Sequence, residues 1–270
     1  MTEHLDPLLA RLAPVDLEVL EHAASLLERI ERKYVVASPV LSELLTEVSD
    51  GRAPEHLVLD IGGRRRFRYR TTYFDTAAFA LYRAGATTRR HRTKVRTREY
   101  LDAGTATVEV KVKDGRGATV KHRLPHDPAH ADELGAAGIE LVRAASRMEI
   151  DPLELRPRLT TSYRRTTLLS PDGSARCTID LDLRADGVDG RTVGLDAVVI
   201  ETKTSRAAGG IDHWLWERGI RPARISKYST TLALMHPELP GNKWHRTLTR
   251  IDGWHCATGE PLVPESTPAA

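Results

Sequence analysis

The sequence predicts an α+β protein built mainly from antiparallel β-strands, with helices at its periphery. Segments that alternate apolar and polar residues follow one another from Leu57 to Thr204, the signature of half-buried strands. Several are separated only by short turn sequences, DAG at Asp102 to Gly104 and DGRG at Asp114 to Gly117. Turns that short join antiparallel neighbours, since a parallel pair needs a long crossover. Helical spacing occurs before, after and in one insert between these strands, and neither an internal repeat nor a linker divides them.

Taken in order, Leu5 to Leu27 carries apolar residues at helical spacing (Leu17, Leu20, Ala24, Leu27) and reads as one or two amphipathic helices broken near Pro14. RIERKYVV, Arg29 to Val36, reads as a strand. Ser38 and Pro39 supply an N-cap and a first-turn proline for a helix through about Val48, which Gly51 closes. LVLDI, RFRYRTTYFD, HRTKVRTREYL, TATVEVKVK and ATVKHRL are successive strands. A helical insert spans roughly residues 128–148. RPRLTTSYRRTTLL, ARCTIDLDL and TVGLDAVVIETKT resume the sheet. A helix with Trp214 and Trp216 precedes ARISKYS and a last helix around Thr231 to Met235. The expected organisation is an N-terminal helical extension at 1–27, the β domain at 28–236 and a tail at 237–270 whose final PESTPAA is disordered.

Composition excludes several classes. Of 270 residues, 40 are Lys or Arg and 37 Asp or Glu, a formal charge of +3, so the chain is no global polycation. With 40% hydrophobic and 29% charged residues it is a folding sequence. Cys177 and Cys256 are its two cysteines, too few for a disulfide framework or a four-cysteine zinc site. No apolar run reaches membrane-span length, and MTEHLD lacks the features of a signal peptide, so a soluble cytoplasmic protein is expected.

The small net charge conceals an uneven distribution. Between Arg64 and Arg98 there are 12 basic residues and one acid, Asp75, a local balance of +11 that points to an anionic ligand. Residues two apart on a strand share a face. Arg92, Lys94, Arg96 and Arg98 therefore line one side of their strand, opposite Thr93, Val95 and Thr97. Glu109, Lys111 and Lys113 oppose Val108, Val110 and Val112; Glu201 and Lys203 oppose Ile200; Arg29, Glu31 and Lys33 share a face. A solvated outer face accounts for any one of these strands. For the set it is less economical, because like charges about 7 Å apart cost about 2 kcal/mol at an effective dielectric near 20. The interspersed glutamates decide the kind of anion. A nucleic-acid groove calls for stacking aromatics, whereas carboxylates among phosphate-binding cations suit a hard divalent ion held together with substrate phosphates.

These segments resemble the triphosphate tunnel metalloenzymes (the CYTH-like superfamily), and within them the VTC (vacuolar transporter chaperone) polyphosphate polymerase domain. The resemblance rests on ERKY, TYFDT, VRTREY, VEVKVK, SYRRT, IETK and ISKYS, in that order between Glu31 and Ser229. It implies a closed tunnel of eight antiparallel strands with the basic faces inward and the valine faces packed outward on helices. Lys33, Arg96, Arg98, Lys111, Arg165, Arg176, Lys203 and Lys227 are then the phosphate grips. All of these except Arg165 and Arg176 also carry the catalysis, and Lys227, placed just before the last helix, closes one end. Glu201, with Glu109 and Glu31, is implied to hold Mn²⁺ or Mg²⁺. Arg29 stands where the hydrolytic branch has a first glutamate, which favours the polymerase branch.

The implied reaction is transfer of the ATP γ-phosphate onto a polyphosphate chain. The alternatives are a tunnel-type triphosphatase acting on inorganic or organic triphosphates, and a non-catalytic polyphosphate- or RNA-binding module; nucleic acid ranks last, on Phe67 and Tyr69 interleaved with Arg66, Arg68 and Arg70. If the cations form a like-charge cluster, Arg96→Ala and Arg165→Ala weaken triphosphate binding without destabilising the fold. No P-loop motif is present, Gly115 to Gly117 reads as a hairpin turn, and no histidines have metal spacing. Cys177 reads as packing ahead of a nucleophile, and Tyr73 and Asp75 as the structural end of a strand ahead of a catalytic role.

Overall fold

Alternation becomes strand and helical spacing becomes helix through most of the computed structural model, which describes residues 5–25, 30–113, 119–205 and 207–256. In chain order the elements are α1 (Leu5–Ala10), β1 (Pro14–Val15), α2 (Leu17–Ser25), β2 (Ile30–Val36), α3 (Ser38–Ser49), β3 (Leu57–Leu59), β4 (Phe67–Asp75) and α4 (Ala80–Ala86). Then come β5 (Arg92–Tyr100), β6 (Thr105–Lys113), β7 (Thr119–His126), α5 (Gly135–Ala145), β8 (Arg156–Leu169), β9 (Ala175–Gly187), β10 (Thr192–Leu195) and β11 (Val198–Thr204). The last are α6 (Gly210–Glu217), α7 (Lys227–Met235), α8 (His245–Arg250) and β12 (Trp254–Cys256). Arg29, the DGRG turn and the PESTPAA tail lie outside the described residues. Backbone proximity divides the chain into two units, the first comprising residues 1–67, 164–182 and 196–224, the second 68–163, 183–195 and 225–270.

In the first unit β11 lies between β2 and the N-terminal part of β9, all antiparallel, with Tyr34 opposite Ile200 and Ile200 opposite Ile179. That face is apolar and packs with Leu5 and Leu9 of α1, Leu41, Leu44 and Leu45 of α3, and Ile211, Trp214 and Leu215 of α6. Each such side chain, fully buried, contributes about 1.5–3 kcal/mol. Asp212 fastens α6 to the strands: its carboxylate accepts from Tyr34 Oη at 2.7 Å, Thr202 Oγ1 at 2.6 Å and the Gly209 amide at 2.8 Å. Arg65 donates to the Leu12 carbonyl at 2.9 Å and to that of Leu9, satisfying acceptors at and just beyond the end of α1, while Asp60 holds Arg65 at 2.7 Å.

The second unit contains the meander β4–β5–β6–β7, in which Thr97 is opposite Val108 and Val108 opposite Leu124. Its apolar face, with Phe74, Val95, Val108, Val110 and Val112, lies under Val142 of α5 and under Leu134 and Leu155. Gly138 permits the approach of α5, since a Cβ there meets Val108 Cγ2 at 3.3 Å. The expectation that valines pack outward under a helix holds in this unit.

The α+β, mostly antiparallel architecture stands, but closure into an eight-stranded tunnel does not. β7 pairs only with β6 and β2 only with β11 among the described residues, so the sheet has free ends. The β7 and β2 edges differ in how further pairing is discouraged. β7 carries Lys121, Arg123 and Pro125, residue types that discourage further pairing. The Lys33 carbonyl on β2 accepts from the Ala223 amide at 2.7 Å, so an irregular segment covers that edge. TVGLDAVVIETKT is two strands, because β10 pairs with residues after Asp182 on β9 and β11 with residues before it. Asp182, between the two stretches, has φ +54°, a left-handed conformation. α4 is too short to show periodicity and is nucleated from the preceding strand end, where Asp75 accepts from the Leu81 and Tyr82 amides. The last predicted helix starts earlier, at Lys227, after an N-cap at Ser226. The tail contains α8 and β12, with Leu195 of β10 opposite Trp254.

Candidate functional site

Opposite each apolar face lies a charged one. In the first unit, strand register places Lys33 beside Glu201 and Glu201 beside Thr178, with Glu31, Lys203 and Arg176 forming the neighbouring rung. The carboxylates are shared by the lysines. Lys33 Nζ reaches Glu201 Oε2 at 3.3 Å and also pairs with Glu31, while Lys203 pairs with Glu201 Oε1. Two residues beyond Thr178, Asp180 takes Arg165 in a bidentate pair, Nε to Oδ1 at 2.6 Å and Nη2 to Oδ2 at 2.8 Å. Six sequence-predicted residues, Glu31, Lys33, Arg165, Arg176, Glu201 and Lys203, are thus brought to one face by strands far apart in sequence.

Burial and charge set the ionisation of this face. Desolvation pulls the Lys33 ammonium toward neutrality, but Glu201 and Glu31 reverse this and leave its pKa raised. Lys203 ends lowered, because burial outweighs the attraction of Glu201 and Glu31, with Arg176 pushing the same way as burial. Burial opposes the charge of Glu201 too, yet Lys33, Lys203 and Arg165 hold its carboxyl well below the usual range. The result is a carboxylate whose flanking cations favour its charged form.

In the second unit, Tyr73, Arg96, Glu109 and Arg123 form one cross-strand rung and Lys94, Lys111 and Lys121 the next. Glu109, whose side chain is 1% exposed, is held by Arg96 (Nε to Oε2, 2.6 Å) and by Lys121 (2.5 Å). Burial works against its charge, but Arg96, Arg98 and Lys121 keep its carboxyl far below the ordinary value. Lys121 is pushed down to about 8, by burial first and by Arg96 and Arg98, with Glu109 opposing. Aromatic rings floor this face. Tyr69 and Tyr163 stack at 5.3 Å, Arg98 lies 5.7 Å from the Tyr69 ring, and Lys227 Nζ stands 4.5 Å from the Tyr163 ring. Lys94 Nζ donates to Ser226 Oγ at 2.9 Å. Arg96, Arg98, Glu109 and Lys227 meet here, with Lys111 exposed on the same strand face. Lys121, Tyr163 and Ser226 join them and were missed, although Lys121 was open to detection as the cross-strand neighbour of Lys111.

The like-charge picture needs correction. Arg165 and Arg96 each neutralise a buried carboxylate, so neither is a member of a merely repulsive cluster. Much of the +11 segment is likewise structural: Arg70 forks onto Glu99 with both contacts at 2.6 Å, Arg68 binds Asp102, and Arg66 binds Asp6 at 2.5 Å. Phe67 packs with Leu59 and Leu169, and Tyr69 against Tyr100 and Tyr163, so the aromatics interleaved with these arginines are packing residues. Asp75 is fully buried, caps α4 and accepts from Tyr228 Oη at 2.6 Å, as a structural strand end does. Cys177 is buried, and burial pushes its thiol pKa up, away from nucleophilic use.

For a divalent cation, no cluster of three or more His, Cys, Asp or Glu side chains is drawn together among the described residues. Glu31 and Glu201 are two oxygen donors on adjacent strands beside the same lysine, a set that fits Mg²⁺ or Mn²⁺ when substrate phosphates supply further oxygens. Glu109 is committed to Arg96 and Lys121.

In each unit, then, antiparallel strands bury one apolar face and present paired lysines, arginines and glutamates on the other. The chain belongs to the VTC domain family, whose model matches residues 28–236. Among solved structures it is similar to the Hippeastrum adenylyl-cyclase candidate HpAC1, described as having a dominant triphosphatase activity, with 17% identity, a TM-score of 0.50, and coverage of 76% of this chain and 95% of that one. Fainter likenesses are to PH1012 from Pyrococcus horikoshii OT3 (12%, TM-score 0.38, 71% and 87% covered) and a conserved hypothetical protein from Pyrococcus furiosus (9%, 0.37, 71% and 88%). No curated protein sequence matches the chain. None of the helices among the described residues is long and apolar enough to cross a membrane.

Proposed function

We propose that this protein is a polyphosphate polymerase that transfers the γ-phosphate of ATP to the end of a polyphosphate chain with the help of Mn²⁺ or Mg²⁺. The observation that carries the reading is the first unit's charged face, where Lys33, Lys203, Arg165 and Arg176 surround the ionised Glu201. Family membership supports it, because the VTC domain is the branch that the segment order resembles. Lysines and arginines bind and align the phosphates. Held in place by the strands before the reaction, they stabilise negative charge on the transferred group. The terminal phosphate of the chain attacks in line, and no protein nucleophile takes part. Glu31 and Glu201 would hold the metal ion, which supplies further charge neutralisation when bound. The second unit has a cationic face of its own, Arg96, Arg98, Lys111, Lys121 and Lys227, with Glu109 ordering Arg96 and Lys121.

The second reading is a triphosphatase, favoured by the activity described for the Hippeastrum structure. Incubation of purified protein with ATP and Mn²⁺ or Mg²⁺, followed by gel resolution of the products, separates the two. The polymerase yields ADP and chains longer than triphosphate; orthophosphate without chain growth establishes hydrolysis instead. We also assign the match region 28–236 as the catalytic portion, acting in the cytoplasm.

A further inference from the structure

Thr178 sits at the centre of the first unit's charged face and does nothing visible there. It is 4% exposed, and its Oγ1 is buried without a hydrogen-bond partner. A buried hydroxyl left unpaired is destabilising, and valine, equally suited to a strand, carries no such penalty. The apolar side of β9 uses Cys177, Ile179 and Leu181, so the hydroxyl at 178 is a departure from what packing requires.

Register supplies a use for it. Thr178 is directly opposite Glu201, where cross-strand Cβ atoms lie about 4.5–5.5 Å apart. In the free protein both Glu201 oxygens are taken, Oε1 by Lys203 and Oε2 by Lys33. Those lysines are also the proposed phosphate ligands and remain 20% and 28% exposed. In the absence of a divalent ion, a polyphosphate that engages both lysines competes with Glu201 for them and leaves a carboxylate, 13% exposed, in need of a donor. We propose that Thr178 is a positioning residue for Glu201, its hydroxyl donating to the carboxylate when phosphates engage Lys33 and Lys203. This inference rests on the phosphate-binding reading of the face.

The test is metal-free calorimetric titration of the full chain with inorganic tripolyphosphate, in wild type, Thr178→Val, Thr178→Ser, Glu201→Ala and the Glu201→Ala/Thr178→Val double variant. Thr178→Val is expected to weaken binding about tenfold, the scale of a hydrogen bond to a charged group, while its ligand-free melting temperature stays equal or rises. Thr178→Ser restores binding. In the Glu201→Ala background Thr178→Val has no further effect, because the acceptor is gone. Additive effects overturn the inference in favour of direct phosphate contact by Thr178. A fall in ligand-free melting temperature with unchanged binding overturns it in favour of a structural role. Failure of the wild-type protein to bind tripolyphosphate overturns the phosphate reading and this inference together; wild-type binding unaffected by Thr178→Val overturns this inference alone.

Discussion

Arg165 grips both oxygens of Asp180 at 2.6 and 2.8 Å, and the side chain of Asp180 is 1% exposed. Truncating one partner of such a pair strands a buried charge, at a cost of about 3–5 kcal/mol. Arg165→Ala is therefore expected to lower the melting temperature of the free protein as well as its triphosphate affinity. Arg96→Ala is expected to cost less stability, since Glu109 keeps Lys121. Urea unfolding of both variants checks the order; equal stability of Arg165→Ala and wild type refutes the account.

Glu201 competes with phosphate for Lys33 and Lys203. Replacing it with glutamine frees both ammonium groups and removes one negative charge, so metal-free tripolyphosphate binding should tighten, by roughly tenfold for one charge at close range. The same variant should lose divalent-cation dependence of turnover. Titration with and without Mg²⁺ reads both effects, and weaker metal-free binding would contradict the arrangement described.

Lys121 provides a pH signature. Its pKa in the folded protein is about 8, against an ordinary 10.5. Between those values the unfolded chain binds more protons than the folded one, so stability rises with pH across this window. Below about pH 8 both forms are protonated and the difference is constant. Urea midpoints measured from pH 7 to 10.5 should climb in the wild type relative to Lys121→Gln, and parallel curves would exclude the shift.

The N-terminal extension is part of the first unit's core. Leu5, Leu9 and Leu12 are at most 5% exposed and pack with Leu41, Leu44 and Leu45. Deleting residues 1–13 removes burial of about 1.5–3 kcal/mol per leucine, a large share of a typical total stability of about 5–15 kcal/mol. Loss of cooperative thermal unfolding by circular dichroism is the expected result, and a melt within a few degrees of full length would show that the extension is dispensable.

The strands were legible because their period-two alternation is local, and Thr105–Lys113 and Arg156–Leu169 fall where the pattern puts them. The β10–β11 break was not legible, since the positive φ of Asp182 that accompanies it lies on a different strand. α4 escaped notice because Asp75, rather than a periodic apolar stripe, organises it. The charged face of the first unit was readable from Lys33, Glu201 and Lys203, each within a short motif. Thr178 was not, because nothing in CTID marks it until register sets it against Glu201.

By itself the sequence determined the family, the antiparallel character and which side of each strand is charged, because these depend on residue type and on neighbours two positions apart. Tertiary structure alone decided which cation meets which carboxylate. Arg165 and Asp180 are 15 residues apart, Lys33 and Glu201 far more, and only strand register brings such pairs within hydrogen-bond reach. It also decided that, among the described residues, β2 pairs only with β11 and β7 only with β6, because backbone pairing at an edge leaves no mark in side-chain alternation.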